Sequence, residues 1–318
     1  MVSIITPNYN GEKFLENYFQ SLEKTKENIR EIIIIDNAST DNSINIIEKY
    51  QTKLNIKLIK NTKNLGFAKA TNQGIEQAKS NLLLFLNNDT EITEKTITYM
   101  KETIEKNENI FSVASKMIQS KNRQLIDDAG DEYTILAHTK KRGNNKPTTQ
   151  YNTETEIFST CAGAGLYRKN IIEKIGPLDE KFFAYLEDLD IAYRAQINGY
   201  KNIYNPKAIV YHIGSGSSGS KYNEFKIKIS ARNNIYLIYK NFPLPQKIIN
   251  LIFILIGVLI KYIFFAKKGY GKQYMEGIKE GIKTRKEIER TKYNKQNWKS
   301  YFKIEWKLIK NTFKLIKG

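Results

Sequence analysis

Four short apolar runs in the first 90 residues, at 2–6, 31–36, 56–60 and 82–86, constrain this chain more than any other feature. Between and after them lie stretches at 12–24, 41–50, 67–79 and 93–106, each long enough for a helix, and a fifth apolar run follows at 111–118. Strands alternating with helices predict βαβ units and a mainly parallel, Rossmann-like sheet of the α/β class. Such a sheet is covered on both faces, which explains uninterrupted runs such as "EIIIID" and "LLLFL". In open sheets of this kind, ligands bind beyond the carboxyl ends of the strands. Those ends read "TPNYN", "DNAST", "KNTKN" and "LNNDT". One polar turn means little. Four at one edge imply a polar ligand.

After residue 117 the rhythm breaks. Residues 120–150 read as polar and irregular, with "KKRGNNKPTTQ" expected as an exposed loop. "EIFSTCAGAGLYRK" reads as a strand whose small residues let another group approach. "GPLDEKFFAYLEDLDIAYRAQINGY" predicts a helix buried on one side through Leu186, Leu189, Ile191 and Tyr193, ending near Gly199. "IYNPKAIVYHIG" predicts a strand, "SGSSGS" a flexible loop, and the chain from Asn223 through "ARNNIYLIYKNF" a helix. "PLP" at 243–245 marks a break. The expected organisation is one large domain over 1–242 and a helical extension over 243–318.

Charge separates the two parts. Residues 244–318 hold 18 Lys+Arg against 5 Asp+Glu, a net of +13 out of the whole chain's +18. The excess belongs to the tail. There a run at 248–266, interrupted by Lys261, approaches the roughly 20 residues needed to span a bilayer. Basic residues interleaved with Trp298, Phe302 and Trp306 suit an anionic membrane surface. Nucleic acid is the other acidic partner for such a tail, but the adjoining apolar run favours lipid, so none is expected. Positive residues flank the run on both sides, and positive segments tend to stay cytoplasmic. A helix lying in or re-entering the interface is therefore expected first, a span second, and a buried helix of a soluble protein third. The single cysteine, Cys161, excludes an intrachain disulfide and fits a reducing compartment. The N-terminus has no basic region before its short apolar run, so the chain is expected to begin with a core strand rather than a signal peptide.

Several acids stand out. Asp36 ends a strand, where it can accept bonds from a base or ribose, or simply cap the next helix. Asp89 ends "LLLFLNND" and is a candidate ligand for Mg2+ or Mn2+, which one or two carboxylates and substrate phosphates can hold. Glu187 and Asp188 sit in an aromatic, aliphatic segment. Adjacent acids on a helix do not face each other, so different roles are expected, with Asp188 a candidate general base. Asp190 and Arg194, spaced i, i+4, read as a structural pair. His212 ends "AIVYH", a lone histidine that a nearby metal would recruit. His138 lacks any supporting pattern and reads as structural. No P-loop and no G-x-G-x-x-G helix opening is present, and Cys161 has no base close in sequence.

Taken in order, these segments resemble the inverting family 2 glycosyltransferases with a GT-A fold, particularly the rhamnosyltransferase-like branch, over roughly residues 1–240. "VSIITPNYNGEKFLENYFQSL" resembles the opening strand and nucleotide loop, "IIIIDNASTDNS" the second, and "NLGFAKATNQGI" the third. "LLFLNNDT" stands at the DxD position, "FFAYLEDLDIAYR" at the catalytic ED motif, and "VYHIGSGSS" at the histidine and loop that follow. The resemblance implies that Pro7, Asn8, Tyr9 and Asn64 line the donor nucleotide and that Asp36 reads the base. Asn87 takes the first DxD position, departing from the usual Asp. Asp89 and His212 would hold Mg2+ or Mn2+, Asp188 would be the base, and Glu187 would support the acceptor. The implied activity is single-displacement transfer from a nucleoside-diphosphate sugar (dTDP-rhamnose or a UDP-hexose) to a lipid-linked or surface glycan at the cytoplasmic face of a membrane. A nucleotidyltransferase and a non-catalytic sugar-nucleotide or glycan-binding protein are the competing classes; the first would release pyrophosphate, the second nothing.

Overall fold

The computed structural model describes residues 1–214 and 222–317. The "SGSSGS" segment expected as a flexible loop lies outside the described residues. The apolar runs form β1 (Val2–Asn8), β2 (Ile29–Asp36), β3 (Ile56–Lys60) and β4 (Leu82–Leu86). The intervening helices are α1 (Glu12–Glu23), α2 (Ser43–Tyr50) and α3 (Phe67–Gln77); a short strand β5 (Thr90–Ile92) precedes α4 (Thr96–Glu105). β1 runs parallel to β2 and β4, and β2 to β3. Successive side chains of a strand point to opposite faces. Hence Ile4, Ile32, Ile34 and Leu84 pack with α1, α2 and α4, while Ile5, Ile33, Ile35 and Phe85 pack with α3 on the other side. Each fully buried isoleucine of β2 contributes roughly 1.5–3 kcal/mol, so neither face tolerates a polar residue.

The second half of the sheet is mixed. It comprises β6 (Ile110–Gln119), β7 (Ile126–Asp128), β10 (Thr155–Ile157), β11 (Ala164–Arg168) and β12 (Lys201–His212), and between β7 and β10 the chain forms β8 (Asp131–Tyr133) and β9 (Thr139–Lys141). Two helices, α5 (Lys169–Ile175) and α6 (Glu187–Ile197), lie between β11 and β12. The strand order is β10-β12-β6-β11-β4-β1-β2-β3, with β5 added to β12 and β7 to β6; β8 and β9 form a separate pair. The expectation of an irregular segment at 120–150 is corrected in part: much of "KKRGNNKPTTQ" is exposed as expected, but the stretch before it is ordered. Its strands are short, but Ile126, Asp128, Ala129 and Tyr133 are buried. Two cations tie it down. Lys116 Nζ donates to the carbonyls of Thr148 and Gln150 at 2.6 and 2.8 Å, and Arg142 donates to Ala129 O at 2.6 Å while its guanidinium stacks on Tyr151 and Tyr204.

The chain closes with α7 (Glu224–Asn241), α8 (Leu244–Lys267), α9 (Gly271–Thr284) and α10 (Trp298–Lys317). α9 lies along α7 through Ile227, Ala231, Tyr274 and Ile278. Close approach needs a bare backbone, since a Cβ at Gly277 would meet Lys228 O at 2.2 Å. Ile254 of α8 and Ile304 and Leu308 of α10 share a buried cluster with Tyr133, Phe158 and Tyr193. On the inner face of α6, Asp190 is fully buried. It takes Arg194 at 2.9 Å, Lys240 at 3.2 Å and an Asn241 amide at 2.7 Å, and Arg194 also caps the carbonyls of Ile175, Gly176 and Pro177. These partners outweigh burial and hold the Asp190 carboxyl below its usual range. Removing one member strands buried charge. Asp190→Ala is expected to lose about 3–5 kcal/mol in denaturant unfolding. Glu48→Ala, which breaks a half-exposed pair with Lys60, should lose no more than about 1 kcal/mol.

Candidate active site

The polar turns at the carboxyl edge are bound to one another. The β1–β2 register sets Asn8 beside Asp36. Asn8 Nδ2 donates to Asp36 Oδ1 at 2.8 Å and to Ser39 Oγ at 3.2 Å, while Asn8 Oδ1 accepts from Asn88 Nδ2 at 2.6 Å. Asp36 also accepts from the Ser39 backbone N–H at 2.9 Å and its hydroxyl at 2.6 Å. Asn8 thus fastens three turns together, and Asp36 shapes the turn after β2 from beneath the cleft instead of forming part of its wall. Pro7, Asn8, Tyr9, Asn64 and Asn87 do line the cleft, which has a volume of about 880 Å³. That is ample for a nucleotide-linked ligand. Asn37, which the sequence reading passed over, lines it too, its Oδ1 accepting from Asn61 Nδ2 at 2.9 Å.

Asp89 and His212 come together through strand pairing. β5 turns back from Asp89 onto β12 and sets Thr90 opposite His212. Asp89 Oδ1 then lies 3.5 Å from His212 Nε2. The other ring nitrogen, Nδ1, donates to Asp127 Oδ2 at 2.8 Å, and the same oxygen takes Lys141 Nζ at 3.0 Å. Burial alone would depress the His212 pKa, but the bonds and charges of Asp127 and Asp89 outweigh it and raise it to about 9. Burial opposes the Asp127 charge as well, yet His212 and Lys141 hold that carboxyl well below its usual range.

An oxygen and a nitrogen 3.5 Å apart suit neighbouring ligands of one Mn2+ or Mg2+, since bonds of about 2.0–2.1 Å at right angles put such atoms about 3 Å apart. A carboxylate behind the imidazole is the usual way to orient such a ligand. Asp128, Asp131 and Cys161 also bring ligand atoms within 4.8 Å of one another. They fit a hard cation less well. Burial raises all three, pushing Asp128 up to about 6 and the others well above their usual values.

Glu187 and Asp188 begin α6. Phe183, Tyr185 and Leu186 precede them with φ of 64°, 69° and 70°, left-handed values that cost non-glycine residues energy. Asn233 of α7 holds that loop, its buried amide donating to the carbonyls of Phe182, Ala184 and Tyr185 at 2.9, 2.9 and 2.7 Å. The result delivers Asp188 to the Cys161–Gly163 turn, where the Ala162 N–H donates to its Oδ2 at 3.2 Å; Leu189 N–H donates to Oδ1 at 2.8 Å. The small residues expected to admit another group admit this one. Burial raises the Asp188 pKa despite these donors. It raises that of Glu187 further, with help from the Asp188 charge, and Glu187 Oε2 is buried with no hydrogen-bond partner. Both line the cleft.

The sequence reading missed Asp127, Asp128, Asp131, Lys141 and Asn233. "LIDDAGD" carried the available signal, two acids enclosed by apolar Ile126 and Ala129. His138 stands apart from this site: its Nε2–H donates to Gly257 O of α8 at 2.9 Å, and burial lowers its pKa to about 4.

A family model described as Glycosyl transferase family 2 matches residues 3–176. Poly-beta-1,6-N-acetyl-D-glucosamine synthase of Staphylococcus epidermidis is 26% identical over 211 residues, covering 66% of this chain and 49% of that protein. The chain thus spans about half the length of that relative. Among solved structures, S. aureus TarS 1–349 in complex with UDP-GlcNAc superposes with a TM-score of 0.61 at 19% identity, covering 96% of this chain and 90% of that one. Mannosyltransferase PcManGT of Pyrobaculum calidifontis, in complex with GDP-Man and Mn2+, gives 0.56 at 12% identity, covering 89% and 86%. These likenesses show a GT-A fold. The Asp127–His212 contact yields a test that needs no substrate. Asp127→Asn is expected to weaken Mn2+ binding about 10–100-fold by calorimetry.

Proposed function

The chain belongs to glycosyl transferase family 2, and from that premise we propose that its cleft transfers a sugar, with inversion, from a UDP-sugar to a hydroxyl of a lipid-linked or surface-polysaccharide glycan. The observation that carries this reading is that Asp188 faces the same cleft as the Asp89–His212 pair. Pro7, Asn8, Tyr9 and Asn64 would line the nucleotide and Asn87 the ribose, with Asp36 fixing the loop behind Asn8. Asp89 and His212 would hold Mn2+ or Mg2+, which supplies charge neutralisation for the departing diphosphate. The imidazole ligand favours Mn2+ of the two. Asp188 takes the proton from the acceptor hydroxyl as that oxygen attacks the anomeric carbon. Glu187, whose carboxyl burial drives toward its protonated form, would support the acceptor. The relative named for N-acetylglucosamine and the UDP-GlcNAc bound to TarS support a UDP-sugar. dTDP-rhamnose, suggested by the motif order, ranks second.

Residues 1–242 would carry the chemistry and 243–318 the attachment to the cytoplasmic face of a membrane. α8 is long and apolar enough to cross a bilayer. Yet its polar and small residues, Gln246, Asn250 and Gly257, face the protein, while Ile248, Leu251, Leu255, Leu259 and Ile263 are exposed. Gln246 and Asn250 bind Glu305 of α10 at 2.7 and 3.0 Å, and a Cβ on Gly257 would meet Leu136 O at 2.0 Å. A helix docked along its length while turning its apolar face outward supports the interfacial arrangement over a span. On α10, Trp298, Phe302, Trp306 and Phe313 form a second exposed stripe.

Donor choice is tested with UDP-hexoses, UDP-N-acetylhexosamines, GDP-mannose and dTDP-rhamnose, scoring nucleoside diphosphate release. Pyrophosphate release would instead indicate nucleotidyl transfer. Asp188→Asn is expected to cut turnover on the order of 10²–10⁴-fold with UDP binding intact. A well-folded, active Asn variant sinks the assignment. The base must be ionised and its pKa is raised, so kcat/KM should fall as pH drops through a value above the usual carboxylate figure of about 3.9. For attachment, alkaline carbonate should release the full chain from membranes, and Trp306→Glu with Phe302→Glu should reduce co-sedimentation with phosphatidylglycerol vesicles. Carbonate resistance would favour a span.

A further inference from the structure

Lys261 is the only charged residue between Lys247 and Lys267. Its neighbours Leu259, Ile260, Tyr262 and Ile263 are exposed, yet Lys261 is half-buried and lines the cleft that also holds Asp89 and Asp188. The spacing explains this: Gln246, Asn250, Ile254, Gly257 and Lys261 recur every three or four residues and share the helix face turned toward the protein. A lysine on a lipid-facing helix ordinarily extends its stem toward water. This one turns inward, and among the described residues it forms no hydrogen bond and no ion pair. The cleft it lines also takes Lys226, Ile227, Ser230 and Ala231 of α7, Phe265 of α8 and Tyr274 of α9, of which Ile227, Ala231, Phe265 and Tyr274 pack as one apolar cluster.

A cation in an apolar recess without a counter-ion is costly, so an anionic ligand group is the natural partner. The apolar walls select what carries that group. A free nucleotide or a sugar would leave its hydroxyls unpaired there, whereas a lipid chain would not. α8 presents its opposite face as an exposed apolar surface, so a lipid head group would lie at the level of this recess.

We propose that Lys261, with the apolar walls of α7, α8 and α9, forms a subsite for the phosphate or diphosphate that joins a lipid to the acceptor sugar. This rests on the transferase reading above and deepens it. Donor and acceptor enter one cleft from opposite ends, the donor at the acidic sheet edge and the acceptor lipid phosphate at the C-terminal helices, with Asp188 between.

The probe is farnesyl diphosphate, titrated into the full chain in detergent with EDTA, so that no metal can hold a diphosphate at the donor end. Expected is saturable binding that UDP does not displace, weakened roughly ten- to hundredfold in Lys261→Gln and within about threefold of the parent in Lys261→Arg. Farnesol and inorganic pyrophosphate should each bind far more weakly. The proposal is overturned by absent binding, by Lys261→Gln equal to the parent, or by displacement by UDP. Equal binding of pyrophosphate or of a poly(glycerol phosphate) also overturns it, marking a free-phosphate or polymer site. UDP–Mn2+ binding and UDP-sugar hydrolysis are read on the same proteins. If Lys261→Gln fails to bind UDP–Mn2+, Lys261→Met replaces it as the uncharged variant. Loss of both UDP readouts in the parent defeats the transferase reading; retention of both with no Lys261 effect defeats the subsite alone.

Discussion

Crowded negative charge organises this molecule. Asp89, Asp127, Asp131, Glu187 and Asp188 line one end of a single cleft, Asp128 lies beneath, and Lys141 and His212 are bonded among them. Like charges a few ångströms apart and shielded from water repel strongly. The cleft resolves this by dividing its acids. Asp127 takes both cations through one oxygen and stays ionised, while Glu187, Asp128 and Asp131 are driven toward their neutral forms. Asp188 stands between these groups, raised by burial yet steadied by two backbone N–H donors. The division separates what each acid can do. An ionised carboxylate accepts a proton or a metal; a neutral one adds an O–H donor and binds a cation poorly.

Much of this was legible in the sequence because strand period and strand ends are local. "EIIIID" and "LLLFL" read as strands buried on both faces, and their polar ends shared an edge. Asp89, Asp188 and His212 stood at ends of regular elements and line one cleft. Asp127 was not legible. Its importance comes from β7 pairing with β6 and from a histidine 85 residues away, and no spacing records either. Nor did the stretch at 120–150 look ordered, because two cations from outside its centre, Lys116 and the stacked Arg142, tie it down in place of an apolar stripe. Asp36 shows contacts that its place at a strand end did not disclose: Asn8 and Ser39 bond its oxygens from within.

Asn8 and Asn233 show why such a site needs more than its reactive groups. Each is buried, and each ties loops that would otherwise drift. Asn8 joins the turns after β1, β2 and β4 through Asp36 and Asn88. Asn233 satisfies three carbonyls of a loop with three left-handed residues, so α7 offsets part of the strain that places Asp188. α7 in turn is backed by α9, whose glycines permit the close approach. The C-terminal helices therefore bear on the geometry of the cleft as well as on its outer surface.

This dependence bears on α8. In a water-exposed helix, polar residues face out and apolar ones in; α8 reverses that order. Its exposed isoleucines and leucines would cost roughly 25 cal/mol for each Å² of apolar surface left in water, a penalty that lipid contact removes. The polar residues it keeps inward are matched, Gln246 and Asn250 by Glu305, and the Gly257 carbonyl by His138. Among the described residues, Lys261 is the inward one of α8 that forms no hydrogen bond and no ion pair. Among the described residues this helix satisfies its other inward polar groups and leaves one ammonium facing the cleft that Asp188 also lines, so its exposed apolar face and its cleft wall are two faces of one element.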